Sequence, residues 1–260
     1  MAGAFLADNW ARAAGVALSS WPSPPATLPL SNLLDPQPRV RTRLAGATGV
    51  ALYVDLGTAR PVDCMAVLST TMRSGAYEWQ WSTGGASSWS GKRNIADDTD
   101  DEATGALITI LPAAVPVRYL TLWLDDPVTA TRDIGLLVIG RLWRLRYGHQ
   151  YGIREGRLIL DQRERNPLTG AEFVSPALAN PRIATFQVPL ASTDRAEHRS
   201  LLRTLGAAGE TLWIPDLSLS EIERNRRSLW GAIAAPGDEA AITRSNFPLG
   251  ERGFRLVERL

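Results

Sequence analysis

The sequence predicts a mostly β chain, with an antiparallel two-sheet sandwich in its first part and an α+β domain built around one main helix in its second. Three observations predict this. Arg118 to Gly140 reads RYLTLWLDDPVTATRDIGLLVIG: an alternating strand, an acidic loop, then an apolar strand closed by glycine. Val50 to Thr70 reads VALYVDLGTARPVDCMAVLST, two more strands around a Gly57/Pro61 turn. Period-two apolar runs bounded by Pro, Asp and Gly bury one face of a strand, and helices repeat differently. Finally, residues 193–205 alone combine a helical start, an apolar stripe and a stop.

The elements follow in chain order. Prolines at 22, 24, 25, 29, 36 and 38 forbid helix and favour extended chain, so residues 1–38 read as an N-terminal arm. Trp10 and Trp21 lie in that arm, where burial within their own domain is hard to arrange, and both are candidates for contact with a neighbouring subunit. An arm wrapped around its own sandwich is the equal alternative. Asn32 to Pro36 resembles a domain-entry turn that precedes a short strand containing Arg39 to Arg43. Strands are expected near 50–56, 62–69, 76–82, 106–111, 118–124 and 134–139, about enough for a two-sheet sandwich over residues 39–147.

Tyr147 to Gly152, with two glycines among polar residues, reads as a junction, which makes 148–260 a second domain. Arg157 to Gln162, Glu172 to Val174 and Arg182 to Pro189 alternate as strands. Ser192, Thr193 and Asp194 cap a helix that carries Asp194 and Glu197 in its first turn and Leu201, Leu202 and Leu205 on its stripe, and Gly206 ends it. Strands Thr211 to Pro215 and Ser228 to Ala234 flank a polar segment with room for a helical turn, and ERGFRLVERL closes the chain as a strand.

Composition narrows the function classes. The chain has 260 residues, 45% apolar and 21% charged, enough for one large core or two modest ones. Net charge is +1, and the basic and acidic residues balance on either side of Gly148, so neither half is a polyanion binder and no nucleic-acid partner is expected. No apolar run approaches the roughly 20 residues that span a bilayer, so no membrane insertion is expected. The N-terminus lacks a basic leader, and Asp8 and Arg12 interrupt its apolar stretch, which predicts use without secretory export. Cys64, the single cysteine, sits among Val62, Met65 and Val67 as a small core residue.

The VDLG run and the RYL-LWLDDP run resemble the galactose-binding-like (discoidin) jelly roll. The later order of strand, capped helix, LWIPD, SLWG and a GFRLVER strand is similar to the C-terminal half of a group of tailed-phage tail proteins, in which such a jelly roll precedes a compact β domain related to tail tube and distal tail subunits. The resemblance implies a structural subunit of a tail tip or baseplate. It would form a symmetric three- or six-fold ring, reside in the virion, and have tail proteins, copies of itself and a host glycan as partners. The alternative is a free carbohydrate-binding or adhesion module.

Candidate sites are few. Arg73, Tyr77, Trp89, Lys92 and Arg93 offer aromatic faces for pyranose C–H bonds and cations for hydroxyls, and form the carbohydrate set. Trp79 and Trp81 share one strand face and read as core. The carboxylates of Asp97, Asp98, Asp100 and Asp101 could gather around calcium, but they lack the glycine and spacing of an EF-hand loop, and a solvated acidic loop is the simpler account. No cofactor is expected. Two distant histidines, His149 and His198, the core Cys64 and the adjacent Asp125 and Asp126 give no convergent nucleophile, base and orienter, nor a carboxylate pair across a cleft, so no enzyme is expected.

Overall fold

In a computed structural model of the chain, residues 3–46, 49–72, 75–94, 105–125, 131–146, 153–158, 162–165, 172–175, 180–190, 194–205, 209–233, 239–241 and 250–259 are described. They form two units. One is Gly3–Arg144 with Trp213–Ser228, and the other is Leu145–Leu212 with Leu229–Leu260.

The first unit contains strands β1 (Ala4–Asn9), β2 (Ala17–Trp21), β3 (Thr42–Ala45), β4 (Val50–Leu68), β5 (Ala76–Ser82), β6 (Ser88–Trp89), β7 (Arg93–Asn94), β8 (Leu107–Asp125), β9 (Thr131–Ile134) and β10 (Leu136–Arg144). All of their pairings are antiparallel. β4 and β8 run side by side for their whole length, with register shifts between Asp55 and Arg60 and between Val62 and Cys64. Before the shifts they pair with β2 on one side and β5 on the other, and after them with β10 and through it β1. Each long strand thus serves two sheet segments, bending where the ladder is interrupted.

That interruption explains why the strands expected at 50–56 and 62–69 are one strand here, as are those at 106–111 and 118–124. Pro61 lies opposite Pro116. Neither can donate to the ladder, so the prolines sit at the irregularity without ending either strand. Gly57 takes φ +75° and donates its N–H to Asp55 Oδ1 at 2.8 Å, so the turn signal produces a bulge. The strand expected at 134–139 divides instead, because Gly135 separates β9 from β10 and a Cβ there would collide with the Pro38 carbonyl.

The core lies between the sheet segments: Leu52, Val54, Met65, Val67, Trp79, Leu120, Leu122, Leu137 and Ile139 all belong to one buried cluster. Trp79 is fully buried and Trp81 packs against the cluster, as their spacing predicts. Cys64 is also fully buried, and burial pushes its thiol pKa up.

The structure decides between the two alternatives for the N-terminal segment and alters the expected division of the chain. For residues 1–38 the alternative of an arm packed on its own sandwich is the one seen at β1 and Trp10. Ala4–Asn9 precede the first proline, alternate, and pair with β10, while Trp10 donates its indole N–H to the Pro61 carbonyl at 2.9 Å, with the Arg60 guanidinium 5.0 Å from its ring. Trp10 is therefore committed to its own sandwich. The compact units are also not the contiguous stretches 39–147 and 148–260, because Trp213–Ser228 belongs with the sandwich. The junction at 147–152 lies outside the described residues.

The second unit holds β11 (Arg154–Arg157), the hairpin β12 (Gln162–Arg165) and β13 (Glu172–Ser175), β14 (Arg182–Leu190), helix α1 (Asp194–Leu205) and the start of β15 (Glu210–Ile214). The end of β15 and helix α2 (Glu221–Arg227) return to the first unit, and β16 (Leu229–Ile233), β17 (Glu239–Ala241) and β18 (Gly250–Glu258) complete the second. β14 pairs with β18 along Ile183–Leu190, and β16 and β17 also pair with β18. Phe186 and Phe254 stack at 5.7 Å, and His198 from α1 meets the Phe254 ring edge-on. His198 is buried and packs in the core of this unit. Its predicted cap residues 192–193 and stop Gly206 lie outside the described residues. Neither α1 nor α2 is long and apolar enough to cross a membrane.

Candidate functional site

The outward face of the β2, β4, β8 and β5 segment follows from strand periodicity. In Arg118–Asp125, Leu120, Leu122 and Leu124 point into the core, so Tyr119, Thr121, Trp123 and Asp125 point out. Register carries the same face across the sheet. Trp123 lies opposite Ala51 and Glu78, and Ala51 lies opposite Trp21. Thr121 lies opposite Tyr53 and Gln80, which in turn face Ser19 and Trp89. Among the described residues six large hydrophobics are exposed, and Trp21, Tyr53, Trp89, Tyr119 and Trp123 all belong to this one face.

At the upper end of the face, where β4 begins, β8 ends and β5 begins, is a depression of about 320 Å3 lined by Gly49, Tyr77, Glu78, Lys92, Trp123 and Asp125. Trp123 gives it a large aromatic wall, with Tyr53 packed edge-on at 6.4 Å to hold the indole in place. Lys92 Nζ bonds Asp125 Oδ2 at 3.1 Å, both side chains more than half exposed. A ring beside an ammonium group and two carboxylates can stack on the C–H face of a sugar and bond its hydroxyls. Lower on the face, Arg118 bonds both carboxylate oxygens of Asp55 at 3.0 and 3.3 Å and lies 4.7 Å from the Tyr119 ring. The Arg118 guanidinium and the Gly57 N–H hold the Asp55 carboxyl below its ordinary value.

The sequence set is split by the structure. Lys92 and Tyr77 reach the depression, but Tyr77 is buried and its hydroxyl is spent on Glu221 of α2. Arg93 donates to the same carboxylate at 2.7 Å. Burial and the Glu221 charge push the Tyr77 hydroxyl pKa up. Tyr77 and Arg93 therefore anchor α2 rather than offering a ring and a cation to a sugar. Trp89 is exposed on the neighbouring rows of the outer face. Arg73 lies outside the described residues, as do Asp97, Asp98, Asp100 and Asp101, and so do His149 and Asp126. Among the described residues no three His, Cys, Asp or Glu side chains are grouped to hold a metal ion.

Sequence reasoning missed Trp123, Tyr53 and Tyr119. The signal was present, since the alternation that sends Leu120, Leu122 and Leu124 inward sends the intervening aromatic residues out.

No family model matches this sequence, and no curated protein matches it either. Solved structures do match. The family 32 carbohydrate-binding module of NanJ from Clostridium perfringens, solved with galactose, is 15% identical over 54% of this chain and 100% of its own, with a TM-score of 0.43. A first such module from a Clostridium perfringens family 31 glycoside hydrolase is 11% identical over 49% of this chain and 95% of its own, at 0.42. The lectin domain of lectinolysin, solved with Lewis B antigen, is 15% identical over 52% of this chain and 96% of its own, at 0.40. These findings lend no support to the tail-protein resemblance.

Proposed function

We propose that the sandwich unit is a carbohydrate-binding or adhesion module that works by contact and without catalysis. The observation that carries this reading is the depression at Trp123, where one partly exposed indole stands beside Lys92, Glu78 and Asp125. Small sugar sites are built this way, from an aromatic wall with a few hydrogen-bonding groups at its rim. Isothermal titration of the full chain with galactose, glucose, N-acetylglucosamine and fucose tests it. Binding of at least one sugar, weakened about tenfold or more by Trp123→Ala, is the expected result. Silence toward all four sugars and on a glycan array would sink it.

An assembly subunit of a phage tail tip is the second reading, favoured by Trp21, whose 60% exposure is the largest among the exposed hydrophobic side chains described. A ring-sized species in light scattering would favour it, and a strict monomer at high concentration the module.

A further inference from the structure

The rings on the outer face are arranged with a regularity that the depression does not need. Trp21 on β2 and Trp123 on β8 stand in one cross-strand row, separated only by Ala51 of β4. Two strand spacings put their backbone positions about 9.5 Å apart, near the length of a disaccharide unit. Between them Ala51, small and fully buried, puts no third bulky side chain on the row. The next row is Ser19, Tyr53, Thr121, Gln80 and Trp89, in which hydroxyl and amide groups stand among two rings. The charges lower on the face are already matched, Asp55 with Arg118.

We propose that this face binds an extended, neutral polysaccharide chain laid across the strands, with Trp21 and Trp123 stacking on alternate sugars and Ser19, Tyr53, Thr121 and Gln80 bonding hydroxyls. The assignment rests on the carbohydrate reading above and extends its site, since Trp123 belongs to both the depression and the row. Three observations select this occupant over a protein surface. The two central rows carry Glu78 at one end and otherwise only uncharged side chains, which suits a neutral ligand. Their polar groups are interleaved with the rings, so an apolar protein patch would leave them desolvated without partners, whereas a polyol satisfies them. The first row runs into the depression through Trp123 and Glu78, where the chain end or a branch would sit.

The test uses the full chain and Trp21→Ala, a change at an exposed position outside the depression. Binding of soluble galactan, arabinoxylan and mixed-linkage glucan is measured by affinity electrophoresis, and binding of the four monosaccharides by titration. The expected result is retention by at least one polysaccharide, weakened about tenfold in Trp21→Ala, with monosaccharide binding unchanged. Equal polysaccharide retention by both proteins would overturn the extended site and leave the depression standing. Monosaccharide binding with no polysaccharide retention would do the same. Failure of every saccharide would remove both readings. A wild-type dimer in sedimentation that Trp21→Ala converts to monomer would give the face to a second copy and overturn the proposal.

Discussion

Arg93 donates a 2.7 Å hydrogen bond to Glu221 across 128 residues of chain. The same carboxylate accepts from the Tyr77 hydroxyl, so two side chains of the sandwich close on the first residue of α2. Ser220 caps that helix through the Glu223 N–H, and Asn225 accepts from the Ile108 N–H on β8. A short polar helix that could not persist alone is held by these bonds.

Glu221→Ala should therefore destabilise the sandwich unit by about 2 kcal/mol, because it strands a half-buried guanidinium and a buried hydroxyl together. Urea melts followed by tryptophan fluorescence measure it. An unchanged midpoint would show that α2 does not depend on the anchor, and Arg93→Met combined with Glu221→Ala should cost less than the sum of the two single changes.

Gly140 is expected to be intolerant of a side chain. It pairs with Asn9 on one side and Cys64 on the other, and a Cβ would meet the Asp8 carbonyl where β1 shifts register. Gly140→Ala should cost about 1–3 kcal/mol or more and raise hydrogen exchange across residues 4–9. Gly85→Ala, which would meet no neighbouring atom, serves as the control. Equal melting of the two variants would refute the close approach.

Acid sensitivity should include Asp133. Its carboxylate takes paired bonds from Arg43 at 2.7 and 2.8 Å, which hold its pKa below the ordinary value in the folded state. A depressed folded value stabilises the protein above the unfolded carboxylate value of about 3.9, and that contribution disappears as pH falls through the folded value. Stability measured from about pH 6 down to about pH 2 should fall less steeply in Asp133→Asn. An identical acid limb would show that the pair does not contribute.

Much of the fold was legible because strand alternation depends only on side-chain order. β5 was expected at 76–82 and is found there, and β14, β15, β16 and α1 are found within two residues of expectation. Continuity was not legible. Pro61 and Pro116 are breakers when read singly, and only their pairing shows that one irregularity in two adjacent strands absorbs both. The candidate site was half legible for a related reason: Lys92 could be named from its loop, but whether Tyr77 and Arg93 were free depended on Glu221, far away in the chain.

The residue order by itself determined the class of structure and, through period two, which side chains leave the core. Tertiary structure decided which strands became neighbours, and so which exposed rings share a face and which polar groups are already satisfied. Register sets those relationships, and register arises from long-range pairing that a local reading of the chain does not contain.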